Sequence, residues 1–155
     1  MPPGPAPRGA LSAFRELSES VLASPQITAA DLALARAEGV RLVINNRPDG
    51  EAPDQPSGSE IEAAARAAGM DYRAIPVTGG FDEGQVRAMA EALENADGKV
   101  LAYCRSGTRS TLLWALAQAA CGADPQAIAD AAADAGYDVS PVRPAIEMLA
   151  ERASD

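Results

Sequence analysis

The sequence predicts an α/β fold with a mostly parallel central sheet of about four to five strands, flanked by helices. Three observations carry this. Short β-branched runs alternate with helix-length stretches along almost the whole chain. The helical stretches begin at capping residues and several end at glycine. Three of the strand runs lead directly into polar, turn-rich loops, as strands do at the carboxyl edge of a parallel sheet.

Taken in order, "MPPGPAPRGALSA" (1–13) is rich in Pro and Gly and reads as a disordered tail, leaving 14–155 as a single domain. "SVLASPQI" (20–27) reads as an edge strand. "TAADLALARAEG" (28–39) is a helix with Thr28 as N-cap, Asp31 completing a capping box and Gly39 as the stop. "VRLVI" (40–44) is a strand, followed by the loop "NNRPDGEAPDQPSG" (45–58). "SEIEAAARAAG" (59–69) is a helix and "DYRAIPV" (71–77) a strand. "TGG" (78–80) turns into a helix over about 82–97, and "KVLAY" (99–103) is the next strand. "STLLWALAQAA" (110–120) has the composition of a buried helix. "DPQAIADAAADAG" (124–136) and "SPVRPAIEMLAERA" (140–153) each open with a capping residue and proline.

Bulk properties narrow the function. A net charge of −9 argues against nucleic acid and against an anionic membrane surface as partner. No apolar run approaches the ~20 residues that span a bilayer. The first residues lack a secretion signal's apolar core, so a cytoplasmic location is expected. There are 2 cysteines, Cys104 and Cys121, and 0 histidines. Cys-His and Ser-His pairs and histidine metal sites are therefore excluded, a zinc site is not expected, and no cofactor is called for. The available chemistry is that of cysteine, carboxylates, hydroxyls and arginine.

That chemistry concentrates in "YCRSGTRS" (103–110). Cys104 closes a strand and Ser110 opens a helix, so the amides of Arg105, Ser106, Gly107 and Thr108 can line an anion nest at a helix N-terminus. The positive end of that helix favours a thiolate at Cys104. Arg109 is placed to clamp an oxyanion in bidentate fashion, and Arg105 to face solvent or substrate. Ser110 or Thr111 could donate to the sulfur. Cys121, at the far end of an Ala-rich helix, reads as inert packing. Parallel strands would bring the loops "NNRPDGE", "TGGFD" and "CRSGTR" to one edge. Arg47 is then a candidate second cation, and Asn45 and Asn46 candidate partners for the cysteine loop. Asp49 and Glu51 read as solvated loop residues.

The combination "SPQIT", "VINNRPDGE", "IPVTGG", "YCRSGTRS", "LWALAQA" and "AGYDVSP" resembles the phosphatase-like domain of beta-lactamase hydrolase-like proteins, a group in the cysteine-phosphatase superfamily. The resemblance covers about residues 18–150. It implies a dual-specificity-phosphatase-like fold, with Cys104 as nucleophile and Arg109 as anion binder. Members occur alone or fused to a persulfide dioxygenase, which makes such an enzyme a candidate partner. The family is labelled both as phosphatase and as sulfurtransferase.

Two departures weigh on the chemistry. Cysteine phosphatases place five residues between Cys and Arg and a His before the Cys. Here four residues separate Cys104 from Arg109, and Tyr103 precedes the cysteine, a spacing similar to rhodaneses. Phosphate-ester cleavage also uses a proton donor. Thr78 stands nearest the acid's position and is a poor acid, while Asp82 with Gln85 also reads as a capping box. The first expectation is therefore a sulfurtransferase, Cys104 carrying sulfane sulfur from a small anionic donor as a persulfide. The alternative is a phosphatase acting on a phosphate ester through a Cys104 phosphocysteine with Asp82 as acid. A non-catalytic anion- or partner-binding module is the third.

Overall fold

The computed structural model describes residues 13–154. The expected disordered tail lies almost entirely outside them.

Strands β1 (Arg15–Ser18), β2 (Val21–Ser24), β3 (Val40–Asn45), β4 (Asp71–Ala74) and β5 (Lys99–Tyr103) form one five-stranded sheet in the order β1-β2-β5-β3-β4. All neighbouring pairs are parallel except the β1–β2 hairpin. The sheet is thus mostly parallel, as the alternation of elements predicts. The run at 20–27 was expected at an edge. Its strand is shorter, and β1 lies outside it, so β2 is interior, hydrogen-bonded to β1 and to β5. β1 carries Glu16 and Ser18 and has too little apolar alternation to announce a strand; pairing with β2 makes it one.

Helices follow as α1 (Ala29–Ala37), α2 (Gly58–Ala67), α3 (Glu83–Asn95), α4 (Thr108–Ala120), α5 (Pro125–Asp134) and α6 (Arg143–Ala153), the last preceded by a 3₁₀ turn at Ser140–Val142. The capping boxes at Thr28/Asp31 and Asp82/Gln85 are both closed, and Asp124 with Pro125 starts α5. Helix α4 begins two residues earlier than its apolar pattern indicates, because Gly107 takes φ 91° and releases the chain into helix at once.

Alternation along the strands separates two cores. Val21, Ala23, Ile44, Val100 and Ala102 pack with α3–α6; Leu22, Val40, Val43, Leu101 and Tyr103 pack with α1 and α2. Helix α4 is buried on nearly every side from Ser110 to Ala117, so it is the central helix of the larger layer. Its N-terminus emerges at the carboxyl edge of the sheet, beside the loops after β3 and β4. No helix among the described residues is long and apolar enough to cross a membrane.

Candidate active site

Parallel register fixes where the cysteine sits. Tyr103, the last residue of β5, pairs with Ser24 of β2 and Asn45 of β3. Two further backbone bonds, Asn46 N to Tyr103 O at 2.8 Å and Cys104 N to Ser24 O at 3.3 Å, carry the ladder to the start of the loop. Cys104 is therefore held from both sides before the chain turns, and it is fully buried. Its sulfur accepts a hydrogen bond from the Gly107 amide at 3.1 Å, the inward-turned amide that the loop composition predicts.

Around the sulfur the side chains are already committed. Ser110 Oγ donates to Asn46 Oδ1 at 2.7 Å, and Asn46 Nδ2 donates to the Ile75 carbonyl at 2.9 Å. Thr111 Oγ1 donates to Gly107 O at 2.8 Å. The expectation that Ser110 or Thr111 donates to the sulfur is thus overturned: both hydroxyls brace the loop instead. Ser106 Oγ and Thr108 Oγ1 bond each other at 3.0 Å, and Arg105 is exposed, facing outward as expected. Tyr103, in the place of the usual histidine, points to the opposite face of the sheet; burial pushes its phenol far above the ordinary range, so it stays neutral.

Arg109 is held by a residue expected to be merely solvated. Its Nη1 and Nη2 donate to Glu51 Oε2 and Oε1, both at 2.8 Å, and Nη1 also reaches the Val77 carbonyl at 2.8 Å. A guanidinium has five N–H groups, so the Nε–Nη2 edge keeps two free of Glu51 and Val77. The Glu51 carboxylate first, with Cys104 adding to it, holds Arg109 still more firmly protonated than usual. Arg47, 5% exposed, donates to Glu51 Oε1 at 3.0 Å and to Gln26 Oε1 at 3.0 Å. Glu51 is therefore a shared counter-ion, and its bonds to Arg109 chiefly, then to Arg47, hold its carboxyl at about 2. Arg47 and Glu51 meet within a loop and Arg109 lies 58 positions from Glu51, so no helical spacing announced either pair.

Asp82 occupies the N-cap of α3: its Oδ1 accepts from Gln85 N at 2.7 Å, and Gln85 Oε1 accepts from Asp82 N at 2.8 Å. It is exposed and shares no hydrogen bond with the cysteine loop. Cys121 is exposed at the C-cap of α4, not packed as expected. No cluster of three or more potential metal ligands occurs among the described residues.

The sequence from residue 13 to 121 matches the family model for the phosphatase-like domain of beta-lactamase hydrolase-like proteins. The chain belongs to that family. A beta-lactamase hydrolase-like protein of Agrobacterium fabrum is 40% identical over 104 residues, 66% of this chain. The match spans 24% of that longer relative. Among solved structures, a candidate phosphatase from Neisseria meningitidis superposes with a TM-score of 0.78 at 33% identity, covering 88% of this chain and 98% of its own. Pseudomonas aeruginosa TpbA, solved in complex with phosphotyrosine, shares the fold at TM-score 0.66 and 19% identity, over 92% of this chain and 91% of its own. As a member of this phosphatase-like family, the protein has the fold of the cysteine phosphatases. These likenesses point to the phosphatase alternative and not to the sulfur-transfer expectation placed first above.

Proposed function

We propose that the protein is a cysteine-dependent phosphatase acting on phosphate monoesters with acidic leaving groups, aryl phosphates first among them. The observation that carries this is the buried Cys104 sulfur, with the Gly107 amide 3.1 Å away and the Arg109 guanidinium nearby, in a cysteine-phosphatase fold. The Cys104 thiolate attacks phosphorus, and the ester P–O bond breaks with its electron pair leaving on the alcohol oxygen. Water then cleaves the phosphocysteine, releasing inorganic phosphate and the thiolate. The loop amides and the Nε–Nη2 edge of Arg109 bind the phosphoryl oxygens. Arg47 and Arg105 supply further positive charge against the chain's overall −9.

The restriction on leaving groups follows from Asp82. Held in the capping box, it is not set to protonate a leaving oxygen, a role worth about 10²–10⁴-fold in rate. Phenolic oxygens leave as anions without that help; alkoxides do not.

The same observation favours a second reading. Sulfane-sulfur transfer needs no acid: Cys104 attacks the outer sulfur of thiosulfate or a small persulfide, the S–S bond breaks, and sulfite or a thiolate departs with the electron pair. The four-residue span between Cys104 and Arg109 makes a smaller cradle, which suits sulfur. A persulfide dioxygenase would be the consumer of the product.

Intact-protein mass spectrometry and colour release separate the two. Wild type and Cys104→Ser are incubated with an aryl phosphate and, in parallel, with thiosulfate. Cys104-dependent phosphate release is expected. Gain of one sulfur by wild type without phosphate release overturns the phosphatase reading in favour of sulfur transfer, and neither reaction leaves an anion-binding module.

A further inference from the structure

The peptide unit joining Ser106 and Gly107 is held at both ends. Its N–H donates to Cys104 Sγ at 3.1 Å, and its carbonyl accepts from the Tyr137 hydroxyl at 3.3 Å. In a trans peptide these two groups point in opposite directions. A donor on the carbonyl side therefore constrains the direction of the amide on the other side, and polarises it towards the sulfur. Gly107 permits the approach: its φ of 91° suits glycine, and a Cβ there would collide with the Tyr137 hydroxyl.

Tyr137 reaches this place through the end of α5. Gly136, at φ 93°, stops the helix, and the Gly136 and Tyr137 amides each bond back, to Ala133 O and Ala132 O at 2.9 Å. The ring packs against the larger core, while Asp138 receives the Ser140 amide at 2.9 Å and starts the following turn. The charged groups facing the pair are Arg109 beside the sulfur and Arg15 beside the phenol. Burial first, and then the neighbouring Cys104, raise the phenol's pKa, so it remains a donor at neutral pH.

We propose that Tyr137 is a positioning residue for the Cys104 thiolate, acting through the Ser106–Gly107 peptide without touching the substrate. This rests on Cys104 being the nucleophile. The "AGYDVSP" segment, which no site role had absorbed, thereby gains one.

The test reads the thiol itself. In a Cys121→Ser background, iodoacetamide adducts on Cys104 are counted by intact mass across about pH 5 to 9. Tyr137→Phe keeps the ring and removes only the hydroxyl. The expected result is alkylation about two- to tenfold slower at neutral pH, with its half-point moved to higher pH and kcat for an aryl phosphate falling while KM holds. Tyr137→Leu, which removes the ring as well, is expected to match the Phe variant in thiol reactivity. A Phe variant with the parent's rate and pH profile overturns the proposal, as does a Leu variant far slower than Phe, which would assign the effect to ring packing. If the alkylation half-point of parental Cys104 lies no lower in pH than that of a small free thiol, the nucleophile reading falls and this proposal with it.

Discussion

Replacing Glu51 by Gln tests whether the two arginines at the site are organised by one carboxylate. Gln keeps the shape but removes the charge, and its single carbonyl oxygen cannot accept the paired bonds from Arg109 and the bond from Arg47 together. A carboxyl held at about 2, against an ordinary 4.5, sets a ceiling of about 3.4 kcal/mol on what its ionisation adds to stability. Glu51's side chain is 27% exposed and Arg109's 23%, so water screens the pair and about 1–2 kcal/mol remains. For a chain of this length that lowers the melting temperature by roughly 3–6 °C at pH 7.

The pH dependence is the sharper part. Because the folded value lies below the unfolded one, the stabilisation is complete above about pH 4.5 and is lost as pH falls towards 2. The deficit of Glu51→Gln against wild type should therefore hold steady from neutral pH down to about 5.5 and shrink by more than about half at pH 3.5. Paired thermal melts of the two proteins across that range measure it. No deficit at pH 7, or one as large at pH 3.5 as at pH 7, would refute the reasoning.

Asp82→Asn should leave aryl phosphate turnover within about twofold, since Asn also caps helices, whereas Asp82→Ala should cost about 1 kcal/mol of stability with kcat unchanged. A loss of 10²-fold or more in the Asn variant would make Asp82 the acid after all. Ser110→Ala strips the donor from Asn46 Oδ1 in a buried setting and should cost about 1–3 kcal/mol in urea unfolding; a cost under about 0.5 kcal/mol would mean that the bond does not brace the loop.

What the sequence revealed was local or periodic. Capping boxes at Thr28 and Asp82, the proline after Asp124 and the glycine stops each act within a few residues, so they could be read directly. The cysteine loop was legible for the same reason: strand, turn and helix start lie in one contiguous stretch. The convergence of the loops after β3, β4 and β5 followed from parallel topology alone. What stayed hidden was long-range. The link of Arg109 to Glu51, and the seat of Tyr137 over Gly107, depend on side chains meeting across the fold, and nothing in the spacing of those residues encodes it. β1 was missed because an edge strand's pattern is set by its neighbour.

Helix α4 separates the two sulfurs as well as organising the core. Thirteen residues of helix at about 1.5 Å each put its ends ~20 Å apart, with Cys104 ahead of one end and Cys121 just past the other. A disulfide needs Cα atoms within ~7 Å, so Cys121 is out of reach as a resolving thiol for Cys104 of the same chain. If oxidants reach the buried sulfur, restoring it takes a thiol other than Cys121. Exposed Cys121, at the other end of the same helix, is the cysteine free to join a second molecule.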